Sequence, residues 1–546
     1  MLALFFLSSC GKKKNDSLTK PVDGDMQARS VTVEGIDMLS IPRGIKLQPT
    51  FRVVFTSPVN RSSIEQYLQL TDSKGRKIEL NYTFDSSDSI VSMKPSTKIP
   101  GLDSFHLSLG SSIRSVSGQN LSNPGERIYM SGIDSADKYP RITDEALLDS
   151  IQRRSLAFFW EFGHPVSGMA RERNSSGDIV TTGGTGFGIM AMVACANRGL
   201  ISRTETRDRI TKIVRFLRDR CISYHGAFAH WINGSNGSTI PFSANDNGGD
   251  LVETSYLLAG LLTARQYFSG SDQAEIALRD QINAIWDGVE WNWFRQNQQD
   301  VLYWHWSADL GWAMNMKVQG WNEALIVYAL AASSNADPIS LPVYQNGWAG
   351  NGAMRNGQIY FGQTLPLGPP NGGPLFWSHY SFLGIDPNGL YDTYADYGLQ
   401  VKSHSKINRS YCMANPQGHF GYSGLCWGLT ASDVPGGYNA NEPGNDPGVI
   451  SPTAALSSLA YTPKESMETL RFFYYTLGDK LWKPYGFIDA FRLNDLWFAD
   501  SFLAIDQGPI IVMIENYRTG LIWNLFMSCP EIKRGLRNLG FQGPRL

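Results

Sequence analysis

The chain has 546 residues, more than one ordinary core accommodates, so two or more domains are expected. Composition is globular, with 42% apolar and 18% charged residues, and a formal net charge of −2 argues against a nucleic-acid binder that works through a basic face. The aromatic share of 12% suits a large core and equally suits stacking platforms for the C–H faces of sugar rings. Six cysteines are scattered with no Cys-x-x-Cys pair, which gives a zinc site little support.

Residues 1–10 read Met-Leu-Ala-Leu-Phe-Phe-Leu-Ser-Ser-Cys, a short apolar run, small residues, then Cys10. Leu7-Ser8-Ser9-Cys10 resembles the lipobox of bacterial lipoproteins, without the usual basic start. The expectation is a lipoprotein signal over 1–10, lipidation at Cys10 and a polar, flexible tether over 11–28. Membrane attachment then runs only through that lipid, at the periplasmic or outer-membrane surface. No other stretch reaches the roughly 18 uninterrupted apolar residues of a membrane span. Cys10→Ala is expected to move the protein from membrane to soluble fraction in its native host; continued membrane association would refute the lipobox.

Residues 29–135 read as a β-sandwich. Phe51–Phe55 is β-rich, and Ile78–Tyr82, Ile90–Met93 and Phe105–Leu109 alternate, separated by turns such as Asp72-Ser73-Lys74-Gly75. Phe55-Thr56-Ser57-Pro58-Val59 with a late Gly118-Gln119-Asn120-Leu121 resembles bacterial Ig-like domains of surface proteins. No chemical constellation lies there, so a spacer or docking role is expected.

From residue 140 to 546 the pattern is helical. Thr143 precedes Asp144-Glu145, and Leu148, Ile151 and Phe158 share a face. Ser202-Arg203-Thr204-Glu205 and Thr462-Pro463-Lys464-Glu465 read as capping boxes, and Ser451-Pro452 as a further start. Short turns near Gly199, Gly270, Asn335, Gly389, Tyr461 and Pro530 alternate with long Gly-, Trp- and acid-rich loops over 161–185, 224–249, 290–319, 350–388, 415–451 and 483–507. Such alternation around about twelve helices predicts a mainly α protein whose larger domain is an (α/α)6 toroid, with all long loops lining one cleft. Helical rings also serve prenyl transfer and terpene cyclisation, but those need a DDxxD-like or zinc-ligand set, and neither occurs.

The loops carry the candidate chemistry. Glu253 lies one turn into an otherwise apolar helix after Asp246–Asp250; it is either a helix-dipole partner or, facing the cleft, a desolvated general acid. Asp433, Glu442 and Asp446 lie in glycine-rich backbone that either makes turns or projects carboxylates into a cleft. Sugar-contact candidates are Glu172, Arg173, His230, Trp231, Trp304, Trp306, Asn322, Glu323, Trp377, His379, Tyr438 and Gln507. There is no phosphate-binding glycine loop, no Ser–His–Asp elbow and no helical pair of metal histidines, so no cofactor and no metal are expected.

Gly249–Thr254, Trp304-His305-Trp306, Gly320–Glu323, Gly428–Asp433, Asp506–Pro509 and Glu515–Gly520 together resemble the glycoamylase-like domain, and most closely glycoside hydrolase family 144, whose members cleave β-1,2-glucans. The resemblance covers about 145–541. It implies an inverting, metal-free β-glucan hydrolase, with Glu253 at the position of the general acid and a later Asp, either Asp433 or Asp446, as base. With the lipobox and Ig-like segment it suits a Bacteroidetes glycan-utilisation lipoprotein, with other glycan-utilisation proteins as partners. Action on another β-glucan and non-catalytic glycan binding are the alternatives.

Overall fold

The computed structural model describes residues 25–546. Cys10 and its lipobox lie outside the described residues, as does most of the expected tether. The tether's last residues differ from expectation: Met26 is fully buried, and Ala28 already begins a strand. An apolar side chain with a strand start two residues on gains more from burial than from solvent.

The described chain falls into two units, one ending at Asp134 and one spanning Ser135–Leu546. The first holds two antiparallel sheets. One orders Ile36–Asp37, Ala28–Val33, Phe51–Phe55, Ile90–Pro95 and Leu80–Phe84; the other orders Lys77–Ile78, Leu68–Asp72, Ser104–Leu109 and Gly125–Met130. Alternation sets the register: Val53 pairs Val91 and Leu70 pairs Leu107, all buried, while Arg52 points out. Tyr129 joins the sheets, its ring 5.3 Å from Phe51 of one and 5.2 Å from Phe105 of the other.

The second unit is helix-rich. Half-buried helices such as Arg203–Arg220 and Gln273–Asp287 bury only one stripe, for example Ile210, Ile213, Val214 and Leu217. They alternate with segments buried nearly all round: Thr182–Asn197, Leu251–Tyr267, Leu325–Ser333, Pro452–Leu456 and Ala504–Arg518. A further buried segment is irregular, two 3-10 turns at Leu375–Ser378 and Ser381–Leu383 between Pro374 and Gly384.

Side-chain caps form at two of the four helix starts read from sequence, Ser451 and Thr462 making none. Thr143 accepts from Ala146 N–H and Ser202 from Glu205 N–H. Thr462 does not cap; its hydroxyl instead bonds the Ser458 carbonyl at 3.2 Å and lies 3.1 Å from Ser466 Oγ, because the preceding turn offers a nearer acceptor.

Two fully buried helices meet along glycines. A Cβ on Gly186 would lie 2.1 Å from the Tyr256 carbonyl oxygen, and one on Gly260 2.3 Å from that of Gly186. Only hydrogen fits there, and this approach sets the depth of Glu253. Gly186→Ala is therefore expected to destabilise at or beyond the upper end of the about 1–3 kcal/mol typical of overpacking, read as a lower Tm; an unchanged Tm would mean that the seam relaxes freely.

The long loops are stitched to one another in a closed circuit. Val180 pairs Ile232, Asp250 pairs His305, Gly320 N–H donates to the Trp348 carbonyl, Leu375 N–H to that of Leu429, Ile450 pairs Phe491, and Arg173 pairs Leu503.

Candidate active site

One set of carboxyl groups gathers at the start of the Leu251–Tyr267 helix. Asp250 is its N-cap: Oδ1 accepts from the N–H groups of Val252 and Glu253, and Oδ2 accepts from Trp304 Nε1 and pairs with His230 Nδ1, each at 3.1 Å. Burial disfavours the His230 cation, yet Glu253, Asp250 and Asp246 outweigh it and raise its pKa to about 9. Asp246 is pushed up to about 7 by burial and by Asp250, against the attraction of His230. Glu253 is buried; its Oε2 accepts from Gly183 N–H at 2.7 Å and lies 3.3 Å from Thr181 Oγ1. Burial raises its pKa, with His230 opposing. His230, Asp246 and Asp250 offer ligand atoms within 4.8 Å of one another, and His230 Nδ1 also pairs with Asp250 Oδ2 at 3.1 Å.

Glu323 stands apart from these. It precedes the buried Leu325–Ser333 helix, its carboxylate bonds no other residue among those described, and only its own backbone N–H steadies it. Burial, then repulsion from Glu253 and Asp250, raises it to about 7. That is a carboxylic acid that carries a proton near neutrality and has no protein acceptor for it.

The second set lies across Tyr380, whose buried hydroxyl has no partner and whose ionisation feels both Asp506 and Glu323. The Tyr380 ring packs on Phe187 and Tyr256. Asp489 and Asp506 act on each other electrostatically, and Asp489 Oδ1 and Asp506 Oδ2 are buried with no other partner among the described residues, a setting that favours one proton shared between them. Burial lifts Asp489 to about 7, and burial plus Asp489 lifts Asp506 well above its ordinary range. Asp489 Oδ2 also accepts from Asp433 N–H at 2.7 Å. Arg173 holds Asp433 through Nη1 at 3.0 and 3.1 Å and Glu172 through Nε at 2.9 Å, while Ser501 donates to Asp433 at 2.5 Å. Arg173, Asp433, Tyr438, Trp497 and Ser501 wall an open cleft of about 630 Å³.

The remaining expected residues divide. Trp304 reaches the first set, and Tyr438 borders the second, close to Asp506, Asp489, Asp433 and Glu172. Trp231 packs edge-on to Phe242, which stacks on His230. Trp306 packs against His225 and Trp293. Asn322 accepts from Ala324 N–H at the start of the Leu325 helix, and Trp377 is half-buried beside Phe376 and Gly373. His379 is a core residue instead of a cleft residue: it bonds Ser458 Oγ, stacks on Tyr461, and burial lowers its pKa to about 3. Gln507 is likewise buried and donates to the Phe487 carbonyl. Asp446 joins neither set; it accepts from Tyr422 OH at 2.7 Å and Gly448 N–H, and lies 3.4 Å from His419 Nε2.

Sequence reasoning missed Asp489 and Asp506 as chemical groups. Asp506 carried the same mark as Glu253, an acid in the first turn of an otherwise apolar helix.

Fold and site thus define a helix-rich protein with a carboxylate-walled, aromatic-lined cleft. A family model described as "Putative glucoamylase" matches residues 315–530. A curated relative, the exo beta-1,2-glucooligosaccharide sophorohydrolase (non-reducing end) of Parabacteroides distasonis, is 45% identical over 427 residues, 74% of this chain; the match spans 59% of that relative's length. Crystal structures of a "putative glucoamylase" from Bacteroides uniformis (54% identity, TM-score 0.74) and of an endo-beta-1,2-glucanase from Chitinophaga pinensis in complex with sophorotriose and glucose (47%, TM-score 0.73) cover 75% and 74% of this chain and 100% of theirs. The chain belongs to this glucoamylase-like family.

Proposed function

We propose that this protein is a glycoside hydrolase that cleaves β-1,2-glucan with inversion, by general acid–base catalysis. The observation that carries the reading is the gathering about the unpartnered Tyr380 hydroxyl of Glu323, whose carboxylate bonds no other described residue and which burial raises to about 7, and of buried Asp506 with its neighbour Asp489. Glu323 protonates the departing glycosidic oxygen. The singly ionised Asp pair takes a proton from the water that attacks C1 on the opposite face. Glu253, the acid expected from sequence, has one oxygen engaged by Gly183 and Thr181; its role in this reading is to keep Glu323 protonated by repulsion. Asp433, a base candidate from sequence, has both oxygens on Arg173 and serves to fix that cation beside the Asp pair. Asp446 holds its loop.

The linkage comes from relatives named for β-1,2-linked glucans. The helical unit is read as a closed (α/α)6 toroid, supported by the alternation of buried and half-buried helices and the circuit of loop-to-loop bonds. The first unit is read as an Ig-like sandwich, supported by its two sheets around Tyr129.

Incubation of the purified protein with linear β-1,2-glucan should release reducing ends. Sophorose alone would mark exo action, and a ladder of sizes endo action. An intact glucan, with binding retained, would make the cleft a glycan-binding site only.

A further inference from the structure

We infer that Trp293, backed by His225 and Trp306, is a stacking subsite for a glucosyl ring distant from the bond being cut, which makes the enzyme prefer long chains; the inference rests on the hydrolase reading above. Trp293 is 40% exposed although it lies in a cluster of rings. It stacks on His225 at 3.7 Å with an interplanar angle of 15°, Trp306 meets both rings edge-on at 5.6 and 4.7 Å, and Trp312 lies 6.4 Å away. His225 is fixed in turn by Glu290, 2.9 Å from its Nδ1, and has a left-handed backbone, φ 52°. The protein thus holds a flat aromatic surface rigid while leaving it in water, which costs free energy unless something covers it.

Strand geometry connects that surface to the chemistry. His305–Trp306 pairs with Gly249–Asp250, the residues that lead into the helix bearing Glu253. Side chains alternate along a strand, so His305 and Trp306 point to opposite faces. Trp304 bonds Asp250, and His305, which pairs with Asp250, lies 3.5 Å from Asp246 and accepts from Gly248 N–H at 2.9 Å. Trp306 pairs with Gly249, the residue before Asp250, so the Trp293 platform lies beside the strand that leads into the first carboxylate set. A neutral glucan has no charge to recognise; an apolar ring face with edge-on neighbours is the chemistry that takes a pyranose.

The test compares Trp293→Ala with wild type on long linear β-1,2-glucan and on a short β-1,2-oligosaccharide that fills only the catalytic cleft. Aromatic stacking of about 0.5–1.5 kcal/mol corresponds to a KM for the long glucan raised roughly three- to tenfold, with kcat and the short-substrate KM unchanged. Trp293→Tyr should restore most of the long-chain KM, which a merely structural role would not require. Equal KM changes on both lengths, or none on either, would overturn the inference while leaving the hydrolase reading intact. A wild-type protein that cuts neither substrate would overturn both.

Discussion

Glu323→Gln is expected to lower turnover on β-1,2-glucan by about 10²–10⁴-fold, the usual contribution of a general acid, with substrate binding retained. Glutamine keeps the size and reach of the side chain but has no carboxylic proton. Burial, with Glu253 and Asp250 close by, holds wild-type Glu323 near 7. The group is therefore protonated below neutrality and lost as an acid above it, which sets the alkaline limb of the pH–rate profile. The same shift has a stability consequence. A folded-state pKa above the unfolded value, ordinarily 4.5, favours folding fully below about 4.5, and that contribution is lost as pH rises through about 7. Glu323→Gln should thus melt like wild type at acidic pH and higher than wild type at pH 8, by on the order of 1–2 kcal/mol once water in the cleft is allowed for. Wild-type turnover in Glu323→Gln, with Glu253→Gln inactive, would return the proton donor to Glu253.

Much of this molecule is legible before folding, because the signals concerned are local. Phe51–Phe55 and Phe105–Leu109 alternate, so their strands and registers follow; Thr143 and Ser202 mark their helices. The Leu375–Leu383 segment has no period to read and falls within the long loop expected over 350–388, where two buried 3-10 turns lie instead. Residues whose local setting is unusual can be singled out from sequence: Glu253 and Glu323 beside apolar helices, and Arg173 in the first long loop. Asp489 and Asp506 are not singled out in this way, because their chemistry lies in their proximity, and nothing within either stretch of sequence reveals a shared proton. His379 and Gln507 illustrate the opposite error. A polar residue in an aromatic string looks like a ligand contact, yet His379 is held within the core by Ser458 and Gln507 Nε2 by the Phe487 carbonyl, Gln507 Oε1 having no partner among the described residues.

Arg173→Met tests the base. Arg173 is the cation among Glu172, Asp433, Asp489 and Asp506, and the ionisation of both members of the Asp pair is eased by it. Methionine keeps the apolar stem and removes the charge, which leaves four carboxyl groups to repel one another. The Asp pair should then ionise only at higher pH, so the acidic limb moves upward and turnover below neutrality falls by about 10²-fold or more. Breaking a buried ion pair costs about 3–5 kcal/mol; with Arg173 partly exposed, roughly 2–3 kcal/mol is expected. That loss carries a pH sign. Asp489 and Asp506 already sit above their unfolded pKa, so the stability they lend is present at low pH and is lost as pH rises through about 7 for Asp489 and through the raised pKa of Asp506. Without Arg173 the loss deepens, and the fall in Tm should be larger at pH 8 than at pH 5. Arg173→Lys keeps the charge but cannot hold Glu172 and Asp433 together with a planar fork. It should leave the acidic limb near its wild-type position with intermediate turnover. Asp446→Asn, whose partners Tyr422, Gly448 and His419 belong to neither carboxylate set, should move neither limb. An acidic limb unmoved by Arg173→Met would mean that the proton is taken elsewhere, and a limb displaced by Asp446→Asn would return that residue to the list of bases.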